Sequence, residues 1–80
     1  MGVKKEVVKR FKQICEERNI KLNELATLAG VTPSTVYSMF SDARKDVSII
    51  TIKKLCDGLE MTLPEFFNTQ SFEELEQEIK

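Results

Sequence analysis

The stretch Leu25-Ala26-Thr27-Leu28-Ala29-Gly30-Val31-Thr32-Pro33-Ser34-Thr35-Val36 reads, almost residue by residue, as the end of one helix, a tight turn and the start of another. Leu22, Leu25, Ala26 and Ala29 recur at three- and four-residue spacings and share one face. Gly30 supplies the positive φ needed to leave that helix, and Val31 returns the chain to the core. Thr32 then caps a new helix, with Pro33 at its first position, where a missing N–H costs nothing. In this second helix Val36, Met39 and Phe40 form the apolar side. Ser34, Tyr37, Ser38 and Ser41 lie opposite, with Pro33 at the tip. Ala26, Gly30 and Val36 form the core of the motif: a small residue for close approach, a turn, and a lock of one helix on the other.

Periodicity extends the helical reading in both directions. Val7, Val8, Phe11, Ile14 and Cys15 predict an amphipathic helix over about residues 4 to 18, with Lys5, Lys9, Lys12, Glu16 and Glu17 on its other faces. Asn19 suits a left-handed turn after it, and Ile20 brings the chain back to the core. Ser41 to Val47 is polar, carries Arg44 and Lys45, and reads as a loop. Ser48 is expected to cap a fourth helix whose Ile49, Ile52, Leu55, Cys56 and Leu59 face inward. Thr62 and Glu65 have the spacing of a capping box, followed by Leu63, Phe66 and Phe67 as apolar bulk. Ser71 and Glu74 repeat that spacing, with Phe72, Leu75 and Ile79 on one stripe. Nothing alternates with period two for long enough to make a strand. The expectation is an all-α chain of five helices with a short sixth at the end.

The two-helix motif resembles the helix-turn-helix of the Cro and lambda-repressor family, the XRE-type transcriptional regulators. Thr51-Ile52-Lys53-Lys54-Leu55 with Leu59, then Leu63, Phe66 and Phe67, is similar to that family's fourth and fifth helices, so the likeness runs over about residues 4 to 67. It implies a compact five-helix lambda-repressor-like DNA-binding domain over residues 1–69, with an acidic amphipathic helical tail over 70–80. It also implies a sequence-specific regulator of transcription, a repressor, whose partner is double-stranded DNA. The helix from Pro33 to about Ser41 would enter the major groove, with Pro33, Ser34, Tyr37 and Ser38 at base edges. Phosphates would be held by Lys21, Thr32, Ser41, Arg44 and Lys45 and by backbone N–H groups at helix starts. The serines could instead be merely solvated and Tyr37 could cover a neighbour. Members usually read two half-sites about one helical turn, ~34 Å, apart, which implies a homodimer at least on DNA.

The chain departs from the family pattern at two places. Leu22 stands where members often carry a phosphate-binding Gln. Cys15 and Phe40 stand where many carry an ion pair of Arg and Glu, so both halves are replaced together by apolar groups and no charge is stranded. The register therefore predicts contact between Cys15 and Phe40. The tail is too short to hold a helix unaided, so Phe72, Leu75 and Ile79 must dock. They dock either on the domain's own fifth helix or on a second copy.

Composition bounds the remaining classes. Eighty residues suffice for one domain, and 41% hydrophobic with 31% charged residues describes an ordered globular chain. Apolar runs never exceed two residues, far short of the ~20 of a membrane span, and there is no signal-peptide core. With no His, no glycine-rich phosphate loop and no paired carboxylates on an apolar wall, an enzyme is not expected. Neither a metal, a cofactor nor a small-molecule ligand is expected. Cys15 and Cys56 read as core residues, and reduced thiols without an export signal point to the cytoplasm.

Net charge is −1, a sum that by itself argues against a nucleic-acid binder. Its distribution says otherwise. Residues 1–21 hold seven basic and three acidic side chains, whereas residues 48–80 hold three basic and seven acidic ones. A basic front and an acidic back let one face approach a polyanion while the other stays away. The rival reading is a helix-turn-helix used only for protein binding, with the acidic half as its working surface.

Overall fold

The computed structural model describes residues 2–41 and 47–75. Among them lie six helices and no strand: α1 (Val3–Arg18), α2 (Leu22–Ala29), α3 (Pro33–Phe40), α4 (Ile49–Gly58), α5 (Leu63–Phe67) and α6 (Gln70–Glu73). Each boundary has a local cause. α1 ends because Asn19 turns left-handed at φ 56°, and the Ile20 N–H then closes back on the Cys15 carbonyl at 2.9 Å. Gly30 repeats the device at φ 71°, with Val31 N–H on the Ala26 carbonyl at 3.0 Å. The Thr32 hydroxyl accepts from the Thr35 N–H at 3.3 Å and opens α3, with Pro33 in its first turn. Ser48 caps α4 by accepting from the Ile50 N–H at 3.1 Å. Thr62 and Glu65 form the expected reciprocal box at α5, with bonds of 2.9 and 3.2 Å.

The apolar stripes meet in one core. Val7 and Phe11 of α1, Leu25 and Ala26 of α2, Val36 of α3, Leu55 and Cys56 of α4 and Phe66 of α5 are fully buried. α2 lies against both α3 and α4. Gly58 permits the second contact: a Cβ there would fall 2.8 Å from the Ala29 nitrogen and the Leu28 carbonyl carbon, both backbone.

Two sequence expectations need correction. Ile49 does not face inward; it is 56% exposed. Its period matches Ile52 and Leu55, but it sits in the first turn of α4, where the face continues past the buried cluster. Ser71 does not open a helix with Glu74, because α6 begins one residue earlier, at Gln70, with no side-chain cap at Thr69. Gln70 Nε2 instead donates to the Glu74 carboxylate at 2.9 Å. Phe72 docks on the domain's own α5, its ring 4.9 Å from that of Phe67 and 5.9 Å from that of Phe66. Leu75 is half-buried, and Ile79 lies outside the described residues.

The basic first helix has a structural duty that its charge count did not disclose. Arg10 Nε donates to the Phe66 carbonyl at 3.0 Å, and Arg18 Nη1 to the Leu59 carbonyl at 2.5 Å. Lys4 donates to the carbonyl of Ser41. These acceptors stand at or just beyond the ends of α5, α4 and α3, where helices leave carbonyls unpaired and carry partial negative charge. Three of the seven basic residues of the front are thus clasps on the negative ends of other helices.

Candidate nucleic-acid interface

α3 is divided as its sequence requires. Val36 and Met39 are buried on α2 and the core, and this turns Pro33, Ser34, Tyr37 and Ser38 outward, all exposed. Ser41 is half-buried at the C-terminal end of the same helix. The motif core behaves mechanically: Ala26 and Val36 have no exposed surface, and Gly30 takes the left-handed turn between them.

The hydroxyls on this face are partly organised among themselves. Thr32 Oγ1 lies 3.0 Å from both Ser34 Oγ and Thr35 Oγ1 while it caps the helix. Tyr37 is 52% exposed, and its hydroxyl donates to Asn23 Oδ1 of α2 at 3.0 Å. Asn23 has no distinguishing sequence signal, since it is one polar residue on the outer face of a short helix. Its role appears only when α2 and α3 cross.

Beside Ser34 and Ser38 opens a cleft of about 390 Å³, walled across from α3 by Ser48 and Thr51 of α4. Ser48 was legible as a cap, but its second position, on a hydroxyl-lined wall shared with α3, was not. Among the described residues neither α3 nor α4 carries an acidic residue in its first turn, so no first-turn carboxylate offsets the positive end of either dipole beside this cleft. α2 and α5 differ, with Glu24 and Glu65 in those places.

Of the expected phosphate-binding residues, Lys21 is exposed just before α2 and Thr32 is exposed at the start of α3. Arg44 and Lys45 lie outside the described residues. Leu22 is half-buried and packs on the core, so that position offers apolar bulk and no polar contact. Phe40 is half-buried against the core, with Lys12 Nζ of α1 5.8 Å from its ring centroid, one turn before Cys15 on the same side of α1. Both thiols are free and buried. Burial pushes Cys56 up to about 11, with Asp57 adding to the rise, and also raises Cys15 against the pull of Arg18. Among the described residues no His, Cys, Asp or Glu group is arranged to hold a metal, and no helix is long and apolar enough to cross a membrane.

This arrangement of helices and exposed face has known counterparts. A family model described as the Cro/C1-type helix-turn-helix DNA-binding domain matches residues 10–71. A solved structure, the crystal structure of the prophage Lp1 protein 11, is 32% identical to this chain, with a TM-score of 0.81 over 94% of this chain and 100% of that one. No curated protein matches. The chain belongs to the Cro/C1-type helix-turn-helix family, a DNA-binding family whose members are typically not enzymes.

Proposed function

We propose that the protein is a sequence-specific regulator of transcription, acting as a repressor, that binds duplex DNA as a homodimer with α3 in the major groove. The observation that carries this reading is the outward face of α3: Ser34, Tyr37 and Ser38 exposed on a helix whose other side is locked into the core. Pro33, Ser34, Tyr37 and Ser38 are the base-edge residues of this proposal. Lys21, Thr32, Ser41, Arg44 and Lys45 serve phosphates, helped by the N-terminal ends of α3 and α4. Residues 1–69 are the DNA-binding unit and 70–80 an appended segment, whose Phe72 already packs on α5. Likeness to a protein described as belonging to a prophage favours a regulator carried by a mobile element. Free, buried thiols favour the cytoplasm.

The net charge is −1, and Arg10, Arg18 and Lys4 of the basic front are tied to main-chain carbonyls, which limits long-range attraction to a polyanion. Affinity for random DNA should be weak, and tight binding should need a paired, correctly spaced site. Serine hydroxyls donate or accept with equal ease, so part of the readout passes through water and DNA shape.

The test is a titration of duplex DNA against salt. Log affinity should fall linearly with log salt, with a slope of about −0.9 per phosphate neutralised, and Lys21→Ala should shallow that slope by about one. No binding at low salt would reject this function and leave the fold to protein recognition.

A further inference from the structure

A tyrosine hydroxyl in a DNA groove is ordinarily ambiguous, since it carries one proton to donate and lone pairs to accept. In this protein the ambiguity is removed. Tyr37 gives its proton to Asn23 Oδ1, 3.0 Å away, while half of the side chain stays open to solvent. The residue that carries the acceptor is anchored through its main chain. Asn23 sits in the first turn of α2, its main-chain carbonyl takes the Thr27 hydroxyl at 3.1 Å, and the neighbouring Leu25 and Ala26 are fully buried. With the proton committed, α3 presents an acceptor at this position.

Base edges in the major groove then divide into two classes. Adenine N6 and cytosine N4 offer amino donors, whereas guanine O6 and N7 and thymine O4 are acceptors that would face the phenol lone pair to lone pair. We propose that Asn23 is a specificity-determining residue that acts through Tyr37: by holding the phenolic proton it makes Tyr37 an acceptor and selects an amino-bearing base at one position of each half-site. The inference rests on the DNA-binding reading above. Asn23 needs no contact with the base. It is a positioning residue, and its chemistry is the polarity it imposes on its neighbour.

The test compares the intact protein with Asn23→Ala, Asn23→Asp and Tyr37→Phe on a panel of duplexes carrying each base in turn at every position of a selected site. The intact protein should favour adenine or cytosine at one position per half-site by roughly three- to tenfold, the scale of one hydrogen bond. Tyr37→Phe should flatten that preference. Asn23→Ala frees the proton and should admit guanine and thymine there while leaving other positions unchanged. Asn23→Asp can only accept, so it should keep the preference while lowering affinity uniformly through its added negative charge. The proposal is overturned if Asn23→Ala keeps the original ranking, or if Asn23→Asp loses it as Asn23→Ala does. Failure of the intact protein to bind any duplex is a separate result, which removes the DNA-binding reading and this inference together.

Discussion

Arg10 of α1 donates through Nε to the main-chain carbonyl of Phe66, 3.0 Å away and 56 residues further along the chain. The same guanidinium reaches the Glu65 carbonyl at 3.5 Å and stands 6.0 Å from the Phe66 ring centroid. α5 has only five residues, too few to persist alone, so this clasp and the stack of Phe66 on Phe11 at 4.3 Å hold it in place. A positive charge that by sequence belonged to a DNA-facing front thus serves the fold.

Arg10→Ala is therefore expected to lower stability by about 1–2 kcal/mol, and the melting midpoint by roughly 5–15 °C. Duplex affinity measured well below the midpoint should stay the same. A large loss of affinity with an unchanged melt would return Arg10 to the interface.

Gly30 and Gly58 should respond differently to alanine. At Gly30 a Cβ meets nothing within 4 Å, so Gly30→Ala bears only the strain of a left-handed φ of 71°, about 1–2 kcal/mol. At Gly58 the new methyl would collide with the backbone of Leu28 and Ala29, and Gly58→Ala should cost about 1–3 kcal/mol even though alanine favours helices. Gly58→Ala should also disturb how α2 sits on α4, which is read as a larger change in amide chemical shifts along α2. Urea midpoints at or above the parent for Gly58→Ala would refute the close approach.

The thiols predict alkaline sensitivity. In the unfolded chain both cysteines lose their protons near the ordinary 9.0, whereas folded Cys56 holds its proton until about 11. Between those values the unfolded state binds fewer protons, so stability is fully present below pH 9 and declines as pH rises toward 11. Comparing Cys56→Ala with the parent over this range isolates the effect: the difference in stability between them should shrink as pH rises. In the native state at pH 8 neither thiol should react readily with iodoacetamide, and both should do so in urea.

Phe40 lies against the core beside Lys12, one turn from Cys15, where the family register expects Cys15 and Phe40 to meet. A double-mutant cycle with Cys15→Ala and Phe40→Ala should give a coupling of about 0.5–1 kcal/mol. Simple additivity would show that the register is wrong at these two positions.

What the sequence disclosed was mostly local. Asn19, Gly30, the Thr32–Pro33 pair and the Thr62–Glu65 box each act within a few residues, so their chemistry can be read from spacing alone. Ile49 misled because a helical period names a face without saying how far the neighbouring helices extend along it. Ser71 misled because the start of so short a helix depends on more than cap spacing: Phe72 is held in an aromatic cluster, and Gln70 pairs with Glu74. The clasps of Arg10 and Arg18 and the bond from Tyr37 to Asn23 join residues far apart in sequence, and they depend on how the helices cross. The outward residues of α3 were legible because the buried ones were. The partner that settles the polarity of Tyr37 was not.

Selection from a pool of random duplex DNA with the intact chain, read by sequencing, measures sequence-specific binding directly. One inverted repeat should be enriched, with half-site centres about one helical turn apart, ~34 Å, and that enrichment should be lost when Ser34 and Ser38 are replaced together by alanine. A pool that remains random after repeated rounds at low salt would contradict sequence-specific binding.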